Sequence, residues 1–153
     1  MQRSKLASPW ILLLPVAALA CTKPAGNQTA SGATADQMQM AQAAPQTATL
    51  AAKNNSGITG TASLAANGDS TSVTVTLNGG KAGTAYPTHI HMGDCAAPGD
   101  VVAPLTSVTV GADGSGTSTT TVPSAKLEGQ SALLVQSHLP DGTPAACGDV
   151  TKP

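Results

Sequence analysis

Two of the chain's three histidines and one of its three cysteines fall within eight residues, THIHMGDC, Thr88 to Cys95. Neutral imidazole is the commonest metal ligand among side chains. His89 and His91 are two positions apart, and on a β-strand residues at that spacing project from one face. Two imidazoles placed that way chelate one ion, while Ile90 between them turns to the opposite face and serves a core. A complete site needs a third donor. His138 is the only histidine left, and it lies at the end of another apolar run, SALLVQSH. The alternative reading leaves His89 and His91 as strand residues facing solvent.

The cysteines divide by position. Arg3 and Lys5 precede the apolar run WILLLPVAALA, Trp10 to Ala20. That run is too short to span a bilayer comfortably and has the length of a signal-peptide core. The ALAC that follows, Ala18 to Cys21, resembles a bacterial lipobox, in which the cysteine is lipidated and becomes the first mature residue. Ala18 stands where a lipobox prefers leucine. The alternative is an ordinary secretory signal cut near Ala20. Both readings export the protein, and the first tethers it to a membrane facing the periplasm or the cell surface. With Cys21 acylated, Cys95 and Cys147 remain as a pair, and an oxidising compartment favours a disulfide between them. The loop so closed has about 50 residues, which the chain-entropy account values at roughly 4 kcal/mol.

The elements that must position these residues are strands. TSVTVTL, Thr71 to Leu77, alternates Val73, Val75 and Leu77 against Ser72, Thr74 and Thr76, as a half-buried strand does. GITGTASLA (Gly57 to Ala65), AYPTHIHM (Ala85 to Met92), SALLVQSH (Ser131 to His138) and a short segment around Cys147 read the same way. PLTSVTV (Pro104 to Val110) and TSTTTV (Thr117 to Val122) flank the turn GADGSG and are expected to form a hairpin. No stretch carries a helical stripe. Six to eight short strands joined by glycine-rich turns predict an all-β antiparallel sandwich or barrel of Greek-key type. Residues 1–20 read as a signal peptide and 21–55 as the lipidated cysteine with a flexible linker poor in apolar periodicity. Residues 56–153 are left as the β domain. Within the linker, Met38 and Met40 offer thioethers that suit Cu(I); the plainer reading is linker methionines.

Composition sets limits on function. The sequence has no Phe, one Trp and one Tyr, so any core is built from Val, Leu, Ile and Ala and is thin. Lys and Arg number 7 against 8 Asp and Glu, and Arg3 is the only arginine. No basic patch exists to hold phosphates, which excludes nucleic acid as a partner.

From about Ser56 to Val150 the chain resembles the Cu/Zn superoxide dismutase family. GITGTASLA is similar to that family's first strand and TSVTVTLNGG to its second. HIHMGDC resembles the family's copper-binding H-x-H strand with its disulfide cysteine. SALLVQSHLPDGTPAACGDV resembles the strand leading to the last copper histidine and the ending that carries the second cysteine. The H-x-H-x-G pattern is also similar to that of the CHRD domain, an extracellular module. The dismutase resemblance implies copper as cofactor, with His89 and His91 as ligands and Cys95 paired with Cys147. The family's last copper histidine stands where this chain has Gln136. His138 comes two residues later, on the same strand face, and is the candidate third ligand.

The departures bear on activity. AAPGDVVA, Ala96 to Ala103, replaces the family's zinc loop and holds no histidine, so the metal-bridging histidine is missing and no zinc is expected. Asp94 and Asp100 in that region are expected to serve turns. Met92 is a remote further ligand and more readily a packing residue. Pro144 occupies the position of the family's guiding arginine, and a cationic funnel is what speeds the approach of an anion such as superoxide. The resemblance therefore implies an exported, dismutase-like lipoprotein that binds copper, for copper handling or weak superoxide scavenging. Dismutase activity at a reduced site, and an envelope module that kept the fold without metal, are the alternatives.

Overall fold

The computed structural model describes residues 43–152. The signal segment, Cys21, Met38 and Met40 lie outside the described residues. The described chain forms eight strands: β1 (Gln46–Ala52), β2 (Thr59–Asn67), β3 (Ser70–Asn78), β4 (Ala85–Asp94), β5 (Ala97–Thr109), β6 (Ser115–Pro123), β7 (Leu133–His138) and β8 (Pro144–Asp149). One 3-10 turn, Ser124–Lys126, precedes β7.

Residue alternation explains why these segments are strands. In β3, Thr71, Val73, Val75 and Leu77 are buried while Ser72, Thr74 and Thr76 face outward. β2 buries Gly60, Ala62 and Leu64 in the same rhythm. The outward hydroxyls pair across strands: Thr74 with Thr119 at 3.1 Å and Thr76 with Thr117 at 2.9 Å. Such directly opposed side chains each add a fraction of a kcal/mol to about 1 kcal/mol to strand pairing.

All strand pairings are antiparallel, in the order β5-β4-β7-β8-β1-β2-β3-β6. The crossovers β3 to β4 and β6 to β7 join the half β5-β4-β7-β8 to the half β1-β2-β3-β6, and the sheet curls into a nearly closed all-β barrel. This is the predicted fold class. The interior holds Leu50, Leu64, Val73, Val75, Leu77, Ile90, Val108, Val110 and Val135, with Tyr86 as its one aromatic ring. Tyr86 keeps its hydroxyl partnered by accepting from the Lys81 N–H at 2.8 Å.

Three expectations are corrected. The domain begins earlier than residue 56. β1, QTATLAA, lies within the segment read as linker, pairs with β2 and β8, and sends Ala48 and Leu50 into the core. GITGTASLA therefore leads into the second strand of this chain. β5 begins at Ala97, so the segment from Ala96 to Ala103 continues a β4–β5 hairpin and is not a loop. β5 and β6 share the expected turn but no backbone ladder: β5 pairs with β4, and β6 with β3. Side chains stitch the seam between them. The Thr106 N–H donates to Thr120 Oγ1 at 2.8 Å, and Ser118 Oγ donates to the Thr106 carbonyl at 2.9 Å.

Cys95 and Cys147 form a disulfide, with Cα atoms 5.9 Å apart and a sequence separation of 52. It ties the tip of the β4–β5 hairpin to β8. The backbone of Cys95 is held as well: its N–H donates to Asp149 Oδ1 at 2.7 Å, and its carbonyl accepts from Lys53 Nζ at 3.1 Å. Replacing both cysteines, Cys95→Ser with Cys147→Ser, is expected to lower unfolding stability by about 4 kcal/mol, the loop-closure value for this span. Denaturant titration measures it. A loss under about 1 kcal/mol would mean that Lys53 and Asp149 suffice to hold the hairpin tip.

Candidate metal centre

β4 and β7 lie side by side, and their register fixes the site. His89 pairs with Gln136, His91 with Leu134, and Thr88 with Ser137. Thr88, Ile90, Val135 and Ser137 turn inward and are buried. Thr88 Oγ1 and Ser137 Oγ are 2.9 Å apart, a buried hydrogen bond that sets this register. The alternate positions, His89, His91, Gln136 and His138, share the outer face. His138 ends β7, two residues past Gln136, the partner of His89, which makes it a diagonal neighbour of His89.

The three histidines meet. Their ring centroids are 5.3 Å apart for His89 and His138, 5.9 Å for His89 and His91, and 6.2 Å for His91 and His138. One ligand nitrogen from each ring lies within 4.8 Å of the others. Metal–nitrogen bonds of roughly 2.0–2.1 Å allow two donors to sit at most about 4.2 Å apart, so small side-chain motions close the set on one ion. No fourth His, Cys, Asp or Glu joins them among the described residues. Met92 pairs with Leu133 and, by alternation, points away from this face.

The hydrogen bonds around the rings say which nitrogens are free. His91 Nδ1–H donates to the Gly99 carbonyl at 3.0 Å, and His138 Nδ1–H donates to the Gly142 carbonyl at 3.0 Å. Each bond fixes the tautomer, leaving a lone pair on Nε2. His91 Nε2, His138 Nε2 and His89 Nδ1 are buried and have no hydrogen-bond partner. Buried nitrogens are rarely left unpaired, and here the three orphans belong to the three converging rings. A metal ion satisfies all of them at once.

Local sequence places the supporting carbonyls. Irregularities in the β4–β5 pairing, between Ile90 and His91 and between His91 and Gly93, bring the Gly99 carbonyl to the His91 ring. The Gly142 carbonyl sits in the tight β7–β8 turn. There the Thr143 N–H donates to Asp141 Oδ1 at 2.9 Å, which holds the Asp141 carboxyl below its usual range. Gly142 has φ +87°, a value glycine takes readily. Neither carbonyl was legible as a site element, because backbone acceptors leave no mark in the side-chain pattern. Asp94 serves a turn as expected, accepting from the N–H groups of Ala96 and Ala97 at 2.9 Å each. Lys53, which falls in the segment read as linker, sits against Cys95.

No family model matches the chain, and no curated protein matches it.

The His89 pKa is lowered from its ordinary 6.5, first by burial and then by the charges on His138 and His91. A lowered folded-state value means the unfolded chain binds more protons at this group, so stability rises with pH across the window between the two values. The metal-free protein is therefore expected to hold its stability above about pH 6.5 and to lose it as pH falls below, where His89 is ionised only in the unfolded chain. Denaturant midpoints between about pH 5 and pH 7.5 check this, with His138→Ala flattening the slope because it removes one repelling charge. A slope unchanged in His138→Ala would remove that charge as a cause.

Proposed function

We propose that this protein is an exported, superoxide-dismutase-like lipoprotein that binds one copper ion through His89, His91 and His138. The observation that carries the reading is the set of three orphaned, converging ring nitrogens. Two of the rings are already locked by carbonyls in the tautomer a metal requires. Imidazole donors suit copper, and Cu(II) stands highest in divalent affinity among the first-row ions. The dismutase resemblance supports copper over zinc, since the chain keeps the copper-strand histidines and has no histidine where the zinc loop would be. Cys21 as a lipid anchor, and the membrane as a partner through it, belong to the same reading and rest on the N-terminal sequence.

The chain's own residues bind and orient the ion. His91 is buried and fixed by Gly99, His138 is fixed by Gly142, and His89 is half-buried on β4, the strand it shares with His91. Copper supplies redox and Lewis-acid capacity when bound. The chain offers little anion steering: Pro144 replaces the arginine, the Lys53 ammonium is engaged with the Cys95 carbonyl, and Lys81, beside Leu139 and Asp141, is a single cation at that end of β7. Copper handling thus ranks above dismutation.

Loading the full chain with Cys21→Ser tests the site. One equivalent of copper per chain is expected, with nitrogen hyperfine structure in the Cu(II) electron paramagnetic resonance spectrum. His89→Ala removes one of the three ligands and should abolish the tight equivalent, a larger loss than the roughly 10–100-fold seen when only a ligand's supporting partner is removed. Binding unaffected by His89→Ala would refute the site. Superoxide consumption by the loaded protein is expected to stay at or below that of free copper, and a rate well above it would restore the dismutase reading.

A further inference from the structure

The number, arrangement and charge of the donors bear on which copper oxidation state the site keeps. Imidazole accepts both Cu(I) and Cu(II), so the donor type alone does not decide. Geometry does. The three ring centroids form a nearly equilateral triangle, with sides of 5.3, 5.9 and 6.2 Å. An ion at the centre of three nitrogens, at roughly 2.0 Å from each, places those nitrogens about 3.5 Å apart, and the ligand nitrogens here lie within 4.8 Å of one another. Cu(II) prefers a tetragonal plane of four donors, and no fourth His, Cys, Asp or Glu joins the three among the described residues. The Gly99 and Gly142 carbonyls pin His91 and His138, which resists rearranging the rings around a different ion.

Charge points the same way. The three donors are neutral imidazoles, and no carboxylate or thiolate joins them among the described residues. Asp94 caps its own turn, Asp149 accepts from Cys95, and Asp141 accepts from Thr143. Asp100, next to Gly99, is exposed and is not among the converging donors. A divalent ion on this set would keep two uncompensated positive charges beside a buried ring, and a monovalent ion keeps one. The lower charge is less penalised by burial.

We propose that the His89–His91–His138 site is a cuprous site, built to hold Cu(I) in preference to Cu(II); this rests on reading the triad as the copper ligands. The ion arrives and leaves as Cu(I). No electron is transferred, and the imidazoles, already neutral, release no proton. Exit is by ligand exchange with a partner offering thioether or thiolate sulfur, at the side where His89 and His138 are half-exposed. Such a protein carries or stores cuprous ion.

The test uses the full chain with Cys21→Ser and its disulfide intact. Cu(I) is titrated without oxygen against a chromophoric cuprous chelator, and Cu(II) in parallel against a cupric chelator. One equivalent of Cu(I) is expected, held about 100-fold tighter than Cu(II), which raises the bound couple by about 120 mV over the aqueous couple at 59 mV per decade. His89→Ala should abolish the tight Cu(I) equivalent. If Cu(II) binds as tightly as Cu(I) or tighter, and the binding depends on His89, the cuprous preference is overturned while the site stands. If neither ion shows an equivalent that depends on His89, both the preference and the site are overturned.

Discussion

The pleat of β4 is the constraint on which the rest depends. One strand supplies both barrel interior and two of the three converging histidines, because its side chains alternate. Tyr86, Thr88 and Ile90 go inward, while His89 and His91 go outward. A slip of one residue against β7 would drive both imidazoles into an apolar core and expose Ile90. Burial excludes that one-residue slip but discriminates less well against a slip of two, which keeps every side chain on its face. The buried pair of hydroxyls, Thr88 with Ser137, adds what burial lacks. Thr88 Oγ1 also donates to the Tyr86 carbonyl at 3.1 Å, so Ser137 is the hydroxyl that a slip would strand; one left unpaired inside the barrel costs about 1–3 kcal/mol, and the register that pairs it is favoured. The core thereby decides where the third histidine falls. With Thr88 opposite Ser137, His138 lies diagonal to His89.

Stability and site geometry share the disulfide. A core with one aromatic residue buries little area per side chain, and small apolar residues bring fewer dispersion contacts. The covalent link to β8 acts on the unfolded chain by shortening its loops. In the folded chain it fixes the hairpin tip four residues before Gly99, whose carbonyl orients His91. Lys53 and Asp149 hold the same tip through the Cys95 backbone. The segment that stabilises the barrel is thus also the one that aims a ligand.

The all-β class was legible, and so was the face of the two histidines, because period-two alternation is a strong signal in Val- and Thr-rich runs. β1 was not. Its two inward residues, Ala48 and Leu50, sit among Ala, Gln and Thr that continue the composition of the preceding segment, so no boundary is visible before Gln46. The β5–β6 hairpin misled for the opposite reason. Turn chemistry at Gly111 to Gly116 is genuine, but a turn reports chain reversal and not pairing. Thr120 takes the Thr106 N–H with its hydroxyl, and the ladder goes to β3 instead. His138 was readable as sharing the face. Its approach to His89 depends on the β4–β7 register, which no local pattern encodes.

The distribution of charge separates holding an ion from drawing one in. Around the triad, four charged side chains are tied to backbone groups: Asp94 and Asp141 within turns, Asp149 and Lys53 on Cys95. Each such bond gives the loops order and uses the group's directional capacity locally. Lys81 is an exception: it lines a pocket with Leu139, Pro140 and Asp141, just past the end of β7. One lysine falls short of the cationic funnel that speeds the approach of an anion. If the triad holds copper as proposed, the bonds that order its surroundings also occupy most of the charges that fast anion chemistry would use. Order around the three rings and steering toward them compete for the same few ionic side chains.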